Sequence, residues 1–263
     1  MEITPAWCEQ EFGPQLRSIL SDLHQHPELS MEEFRTTSRI KDVLEQTGIE
    51  IVDIGAKTGV VGHLSTGGTG PSIGLRADID AITQHEQTDR PDRSLTDGKM
   101  HGCGHDVHTT GLLGAAMALA KQRAHLLGDV YFIFQPAEES LSGARYLVDE
   151  CGLWDKIHID AIFGLHNYPE FPVGTVGLRS GPLMSYKDAF SLRLIGRSGH
   201  SSMPQKNIDP IVAAAALIQS LQTIASRNVG PLDSVVLSIC QLYAGSPRGL
   251  VVDDVQMAGN IRT

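Results

Sequence analysis

The sequence predicts an α/β fold built on a mainly parallel sheet, followed by a smaller α+β unit. From about residue 50 to residue 165, strand-like segments alternate with helix-like segments, which is the pattern of strands joined by crossover helices. With 263 residues, 41% of them hydrophobic, the chain is long enough to bury a large core. Its length predicts two domains, which we place at residues 1–183 and 184–263.

The first two elements are predicted to be amphipathic helices, at residues 7–24 and 32–46, because apolar residues recur there at intervals of three and four. The dipeptide His26-Pro27 separates them, and Gly48 ends the second. The next elements are shorter. In chain order they are strands at 60–64 and 72–77, a helix at 107–123, a strand at 130–134, a helix at 142–151 and a strand at 161–165.

A different organisation is predicted after Gly181-Pro182. The pattern there indicates one strand, a Gly/Ser-rich loop, one helix and two further strands. This β-α-β-β order is typical of a compact unit with an antiparallel sheet. The expected elements are a strand at 190–195, a helix at 208–226, and strands at 234–242 and 251–261.

Composition excludes several classes of partner. Lys plus Arg number 21 and Asp plus Glu number 31, a formal net charge of −10, so we expect no nucleic-acid partner. The longest apolar run, residues 211–218, is far short of the ~18 to 20 residues of a membrane span. Four cysteines lie far apart, and the first residues lack a basic and then apolar signal segment. We therefore expect a cytoplasmic protein with no membrane association.

The segment 101–108 concentrates groups that bind metals. Within eight residues it holds three histidines, one cysteine and one aspartate, with a glycine on each side of Cys103. Glycine allows close approach and unusual backbone angles, so Cys103 and His105 can turn toward one point. Two alternatives remain for these residues. They could be surface groups without a partner, or Cys103 could be a nucleophile, which would need a histidine base remote in sequence.

Further polar residues follow the predicted strands. Glu138 and Glu139 come just after one strand and point in different directions, so one can bind a cation while the other carries a proton. His166 ends another strand, and Asp78 and Asp80 end a third. Each aspartate could be a metal ligand or could orient a metal-bound imidazole. Alternatively, the glutamates form a solvated turn, the histidine belongs to the core, and one aspartate caps a turn. Because parallel strands gather their carboxyl ends at one edge, we expect these groups to lie together.

These motifs resemble those of the M20 metal-dependent amidohydrolases and peptidases, in particular the subset that acts on N-acyl amino acids. That subset includes hippurate hydrolases, aminoacylase-like enzymes and plant auxin-conjugate hydrolases. The matching segments are residues 75–81, 101–108, 135–139, 164–166, 199–202 and 209–210. The resemblance implies a metallopeptidase-like catalytic domain with an inserted α+β lid and dimerisation domain. It also implies that the chain ends at the end of the lid, without the C-terminal remainder of the catalytic domain.

The resemblance assigns roles to individual residues. Glu138 would be the catalytic carboxylate, and Asp78 would lie next to the metal ligands without binding the metal itself. His200 of the lid would bind and activate the substrate of a neighbouring subunit. The protein would be a homodimer through the lid. Two divalent metal ions per subunit, Mn²⁺ or Zn²⁺, would be held by Cys103, His105, Glu139 and His166.

The activity that the resemblance implies is hydrolysis of the amide bond of a small N-acyl amino acid. Two cations would lower the pKa of a shared water, and Glu138 would take its proton and pass it to the leaving amine. The metals and His200 would stabilise the oxyanion. Two other functions stay open. The chain could be a truncated, non-catalytic metal-binding or dimerising remnant, or a hydrolase with Cys103 as nucleophile.

The sequence departs from the family pattern at four places. Arg76 stands where the wider family has a histidine ligand, so the cysteine-containing ligand set is expected. Gln205 replaces a lid histidine, and residues 246–250 lack an asparagine that related lids carry. The return segment of the catalytic domain, with a further histidine ligand, is expected to be absent, so another group would have to complete the metal shell.

Overall fold

A computed structural model of the chain describes residues 2–246 and 249–263. Residues 247 and 248, which belong to the segment without the expected asparagine, lie outside this description. The chain divides into two compact units, Met1–Pro172 and Val173–Thr263, whereas the predicted domain boundary follows residue 183.

The first unit contains five helices and five strands among the residues that the structure describes. The helices are α1 (Pro5–Gln25), α2 (Phe34–Gln46), α3 (His105–Lys121), α4 (Gly143–Arg145) and α5 (Leu153–Lys156). The strands are β1 (Glu50–Ile51), β2 (Val60–Leu64), β3 (Ile73–Asp78), β4 (Val130–Gln135) and β5 (Ala161–Gly164). The predicted helix at 142–151 is α4 continued by a π-helical turn at Tyr146–Glu150.

The α/β fold class is confirmed, with a mixed sheet. Its strand order is β1-β2-β4-β3-β5; β3 pairs in parallel with β4 and β5, whereas β2 pairs antiparallel with β1 and β4. The connection 65–72 is too short for a crossover helix, so the chain reverses direction between β2 and β3. The parallel part of the sheet therefore consists of β4, β3 and β5.

Helical segments cover both faces of the sheet around β4. Phe132 and Phe134 point to one side, where they pack with Ile19, Ile40 and Leu113 of the three long helices. The intervening residues of β4 face the opposite side. There Ile133 belongs to a second buried cluster with Ile54, Val61, Tyr146, Leu147, Leu153 and Ile157. This burial on both faces fixes β4, and with it the loop that follows its last residue.

The parallel strands end at one edge. In the register of the sheet, Asp78 at the end of β3 lies beside Gln135 at the end of β4. Arg76 of β3 lies beside Gly164, the last residue of β5. The loops that follow these strands therefore start next to one another, which is where ligands bind in sheets of this type.

The second unit is a three-stranded antiparallel sheet with one main helix. The sheet has the order β6 (Lys187–Ile195), β10 (Asp254–Arg262), β8 (Val236–Tyr243), and a separate pair joins β7 (Gly199–His200) to β9 (Leu250–Val251). The helix α6 (Pro210–Thr223) begins after Asp209, whose carboxylate accepts the N–H of Ile211 at 2.9 Å. Across the described part of both units, no helix is long and apolar enough to cross a membrane.

Candidate metal centre

His105 is the first residue of α3 and lies at the centre of the site. The preceding Gly104 has a φ of 88°, and a Cβ there would lie 2.5 Å from Oδ1 of Asn167, so only glycine fits. The His105 ring is fully buried, and its Nδ1 lies 3.2 Å from Oδ1 of Asp80. A carboxylate only accepts hydrogen bonds, so Nδ1 carries a proton, and in the neutral ring, the form that binds a metal, Nε2 presents a lone pair. Among the described residues, that buried Nε2 has no hydrogen-bond partner.

His166 follows β5 and is oriented in the same way. Its Nδ1 lies 2.8 Å from the carbonyl oxygen of Asn167 and donates to it, which leaves a lone pair on Nε2. Nε2 lies 3.8 Å from Sγ of Cys103. Two imidazole nitrogens and one sulfur, contributed by two separate loops, thus face a common space.

Glu138 and Glu139 follow β4 and both reach His105. Oε2 of Glu138 and Oε1 of Glu139 each lie 3.9 Å from Nε2 of His105. The backbone N–H groups of the two glutamates donate to Asp80 at 3.1 and 3.0 Å. Oε1 of Glu139 is buried and, within the described parts of the chain, has no hydrogen-bond partner. A buried carboxylate oxygen and a buried imidazole nitrogen therefore face each other at 3.9 Å, too far apart for a hydrogen bond.

Three overlapping groups of side chains have ligand atoms within 4.8 Å of one another, and all three contain His105. They are Cys103, His105 and His166; His105, Glu138 and Glu139; and Asp78, His105 and His108. In the third group, the nitrogens of His108 already have hydrogen-bond partners within the protein. Nδ1 of His108 donates to Asp78 at 2.6 Å, and its Nε2 accepts the N–H of Asn167 at 2.9 Å. Both nitrogens of His108 are thus used within the protein, which makes it an orienting residue.

The remaining two groups fit divalent metal ions. Two atoms that bind the same ion at about 2.0–2.3 Å lie about 3–4 Å apart, and the 3.9 and 3.8 Å separations around His105 and His166 lie in that range. The unpartnered atoms of His105 and Glu139 are the kind that an ion would satisfy. Thiolate and imidazole suit Zn²⁺, whereas carboxylates suit Mn²⁺, so this donor set accommodates either metal.

The electrostatics of the site favour a cation over a free thiolate. Burial, together with the negative charge of Glu139, raises the pKa of Cys103 to about 12. A nucleophilic cysteine needs the opposite shift, so the alternative of a cysteine hydrolase is disfavoured in the absence of a metal. Burial and the charge of Glu139 also raise the pKa of Glu138, which suits a group that first accepts and then donates a proton.

Asp78 and Arg76 support the site from β3. Burial alone would raise the pKa of Asp78, but its hydrogen bond with His108 and the charge of Arg76 outweigh this and lower it. Nη1 of Arg76 lies 2.6 Å from Asp78, and Nε donates to Oε1 of Gln135 at 3.0 Å. The charge of Arg76 therefore helps to keep Asp78 ionised.

The structure brings six of the predicted site residues to one sheet edge: Asp78, Cys103, His105, Glu138, Glu139 and His166. His200 lies in the second unit, on β7, where its Nδ1 accepts the N–H of Ser202 at 3.2 Å. The sequence motifs leave the role of Asp80 open and predict none for Asn167. The spacing of Asp80, two residues beyond Asp78, was the signal that could have singled it out.

Comparison with known proteins identifies the family. The model of peptidase family M20/M25/M40 matches residues 74–247. N-acetylcysteine deacetylase of Bacillus subtilis is 45% identical over 257 residues, 97% of this chain and 67% of the relative. Hippurate hydrolase of Campylobacter jejuni is 41% identical over 94% of this chain and 64% of its own length. An IAA-amino acid hydrolase of Arabidopsis thaliana, ILR1-like 2, is 40% identical over 93% and 55%. The chain belongs to the M20 family, as its motifs predicted.

Solved structures agree with this assignment. A Bacillus subtilis protein described as a dinuclear metal binding peptidase from the M20 family has a TM-score of 0.77 and 43% identity, covering 97% of this chain and 65% of that one. A putative aminohydrolase from Staphylococcus aureus has a TM-score of 0.84 and 32% identity, covering 96% and 67%. The predicted fold, which is that of a family of amide-hydrolysing metalloenzymes, is confirmed. The chain spans between 55% and 67% of the length of these relatives.

Proposed function

We propose that this chain hydrolyses the amide bond of N-acyl amino acids at the site around His105. The observation that carries the proposal is the convergence of Glu138 and Glu139 on the bare Nε2 of that buried histidine. The relatives support the substrate class, because the names N-acetylcysteine deacetylase, IAA-amino acid hydrolase and hippurate hydrolase all describe amino acids in amide linkage.

Cys103, His105, Glu139 and His166 are the residues that we propose as ligands of two divalent ions. Such ions would supply Lewis acidity, which makes water a stronger acid and an amide carbonyl more electrophilic. Asp80 and the carbonyl of Asn167 hold the two imidazoles with their Nε2 lone pairs toward the site. This fixed orientation lowers the reorganisation needed when the ligands bind.

Glu138 is the residue that we propose as proton carrier. Its side chain is 38% exposed, so it can contact a substrate, and burial of the remainder raises its pKa. As a base it takes the proton from the attacking water, and as an acid it returns the proton to the nitrogen of the leaving amine. Asp78 remains ionised behind it and orients His108.

His200 is proposed to bind the substrate carbonyl of a second subunit in a homodimer formed by the lid. Because its Nδ1 accepts a backbone N–H from Ser202, its Nε2 carries a proton and can donate to an oxyanion. The test mixes two inactive variants, Glu138→Gln and His200→Ala. Recovery of activity on mixing would support action between subunits, and no recovery would refute it. Sedimentation of the wild-type chain measures the dimer itself.

The test of the proposed function is hydrolysis of a panel of N-acetyl and N-aroyl amino acids by the purified chain loaded with Mn²⁺ or Zn²⁺. Glu138→Gln should lower kcat by about 10²- to 10⁴-fold. Glu45→Gln, which removes the same charge from an exposed position of α2, should leave kcat unchanged. Activity that survives complete chelation and is lost in Cys103→Ser would establish the thiol mechanism instead. Metal binding without turnover would indicate a non-catalytic remnant.

A further inference from the structure

The turn that carries the two glutamates has an unusual backbone. Ala137, which precedes Glu138, has a φ of 53° although it is not a glycine. For a residue with a Cβ this left-handed conformation costs free energy, and the surrounding structure must hold it in place. The turn therefore depends on contacts outside itself.

Three consecutive N–H groups of this turn are bound by buried carboxylates. Asp80 accepts those of Glu138 and Glu139, and the N–H of Ala137 donates to Oε1 of Glu33 at 2.8 Å. Glu33 is far away in sequence and fully buried. The conformation of the turn is thus set by two acidic side chains, of which only Asp80 also contacts the metal centre.

The side chain of Glu33 does not cap the helix that follows it. It stands at the residue preceding α2, where an acidic side chain commonly caps the helix, yet it makes no capping hydrogen bond. Glu28 fills that role, because its carboxylate accepts the N–H groups of Arg35 and Thr36 at 3.0 and 2.7 Å. Burial raises the pKa of Glu33. A carboxyl group is thus kept in the interior at a desolvation cost, and one of the groups it binds is the N–H of Ala137 in the glutamate turn.

We propose that Glu33 is a positioning residue for Glu138 and Glu139, acting through the N–H of Ala137. The inference rests on the proposed roles of the two glutamates. Both carboxylates lie 3.9 Å from the same nitrogen of His105, and a small rotation about the backbone of Ala137 would swing both away from it. A displacement of about 1 Å at a reacting group lowers a rate by up to about 100-fold. Without Glu33, the N–H of the strained residue loses its partner, and only its carbonyl, which accepts the N–H groups of Ser142 and Gly143, still holds it.

The test compares three substitutions that separate hydrogen bonding from charge and size. Glu33→Gln keeps an oxygen that can accept the N–H of Ala137. Glu33→Met has a similar length but no acceptor. Glu33→Asp keeps the charge but is shorter by one methylene, so its oxygens no longer reach a donor held at 2.8 Å. If Glu33→Met fails to fold, the pair Glu33→Asp and Glu33→Gln still decides the question.

Two readouts are measured on the full chain: the apparent dissociation constant for Mn²⁺ alone, and kcat and KM for the N-acyl amino acid that the wild type hydrolyses fastest. Glu33→Met and Glu33→Asp should weaken Mn²⁺ binding by about 10-fold or more and lower kcat by about 10- to 100-fold with little change in KM. Glu33→Gln should restore both values to within about threefold of wild type.

The control separates this inference from the proposed function. Glu138→Gln tests the proton carrier independently of Glu33, so its lack of effect on kcat would refute the proposed function and leave the Mn²⁺ affinities of the Glu33 variants to decide the positioning role. A Glu33 that only stabilises the fold would change the melting temperature and leave the Mn²⁺ affinity of the folded protein intact. Equal Mn²⁺ affinity in all three Glu33 variants would overturn the inference.

Discussion

Asp80 holds together two parts of the site, and replacing it by asparagine should be costly. Its carboxylate is 1% exposed and lies within hydrogen-bond distance of four donors. Oδ1 faces Nδ1 of His105 and the N–H of Glu138, and Oδ2 faces the hydroxyl of Ser30 and the N–H of Glu139, at 2.7 to 3.2 Å. Asparagine keeps one oxygen and presents an NH₂ group in place of the other, so a buried backbone N–H is left facing a donor.

The size of the effect follows from the bonds lost. Hydrogen bonds to a charged group contribute about 1.5–3 kcal/mol each, so Asp80→Asn should lower the free energy of unfolding by about 1.5 kcal/mol for one bond and up to about 6 kcal/mol for two. Urea unfolding of the metal-free chain measures this change. Asp42→Asn, at an exposed position of α2, should change it by less than about 0.5 kcal/mol. Equal stabilities of the two variants would refute the role assigned to Asp80.

Two further predictions concern other parts of the first unit. Gly104→Ala should weaken Mn²⁺ binding and destabilise the fold, because the φ of 88° and the nearby Asn167 leave no room for a methyl group. Gly111→Ala, at an exposed and open position of α3, should instead stabilise the fold by about 0.5–1 kcal/mol in a thermal melt. Hydrogen bonds from Thr66 lower the pKa of Asp129 in the folded chain. The ionised carboxylate therefore adds to the free energy of unfolding above the pKa of the unfolded chain, about 3.9, and this addition is lost as the pH falls through the lower pKa of the folded chain. The free energy of unfolding should therefore fall more steeply between about pH 5 and pH 2 in the wild type than in Asp129→Asn, and parallel curves would contradict this.

The sequence predicted the parts of the site that are carried by residue identity. Cysteine, histidine and glutamate at strand ends indicate a metal site, and the order of strands and helices places those ends at one edge. The exact start of α3 was less accessible. The pattern predicted a first residue at 107, whereas the helix begins at His105, because the left-handed Gly104 precedes it and the apolar periodicity does not register that turn.

Other features could not be derived from the sequence because they depend on backbone groups. The contacts of Asp80 are made largely to the N–H groups of the glutamate turn, and no pattern of side chains encodes which carboxylate will meet them.

The two-residue strand β1 is too short to show periodicity. The sheet is mixed because the short connection after β2 reverses the chain, so that β2 pairs antiparallel with β4 whereas β3 pairs with it in parallel.

We propose that Cys103, His105, Glu139 and His166 of this chain hold divalent metal ions. The most direct measurement is elemental analysis of the purified 263-residue chain after dialysis, beside the variant His105→Ala. We expect about two ions of manganese, zinc or a similar metal per chain in the wild type, and a clear loss in the variant, since both candidate ligand groups contain His105. A wild-type chain that retains no metal under conditions in which it is folded would contradict the claim.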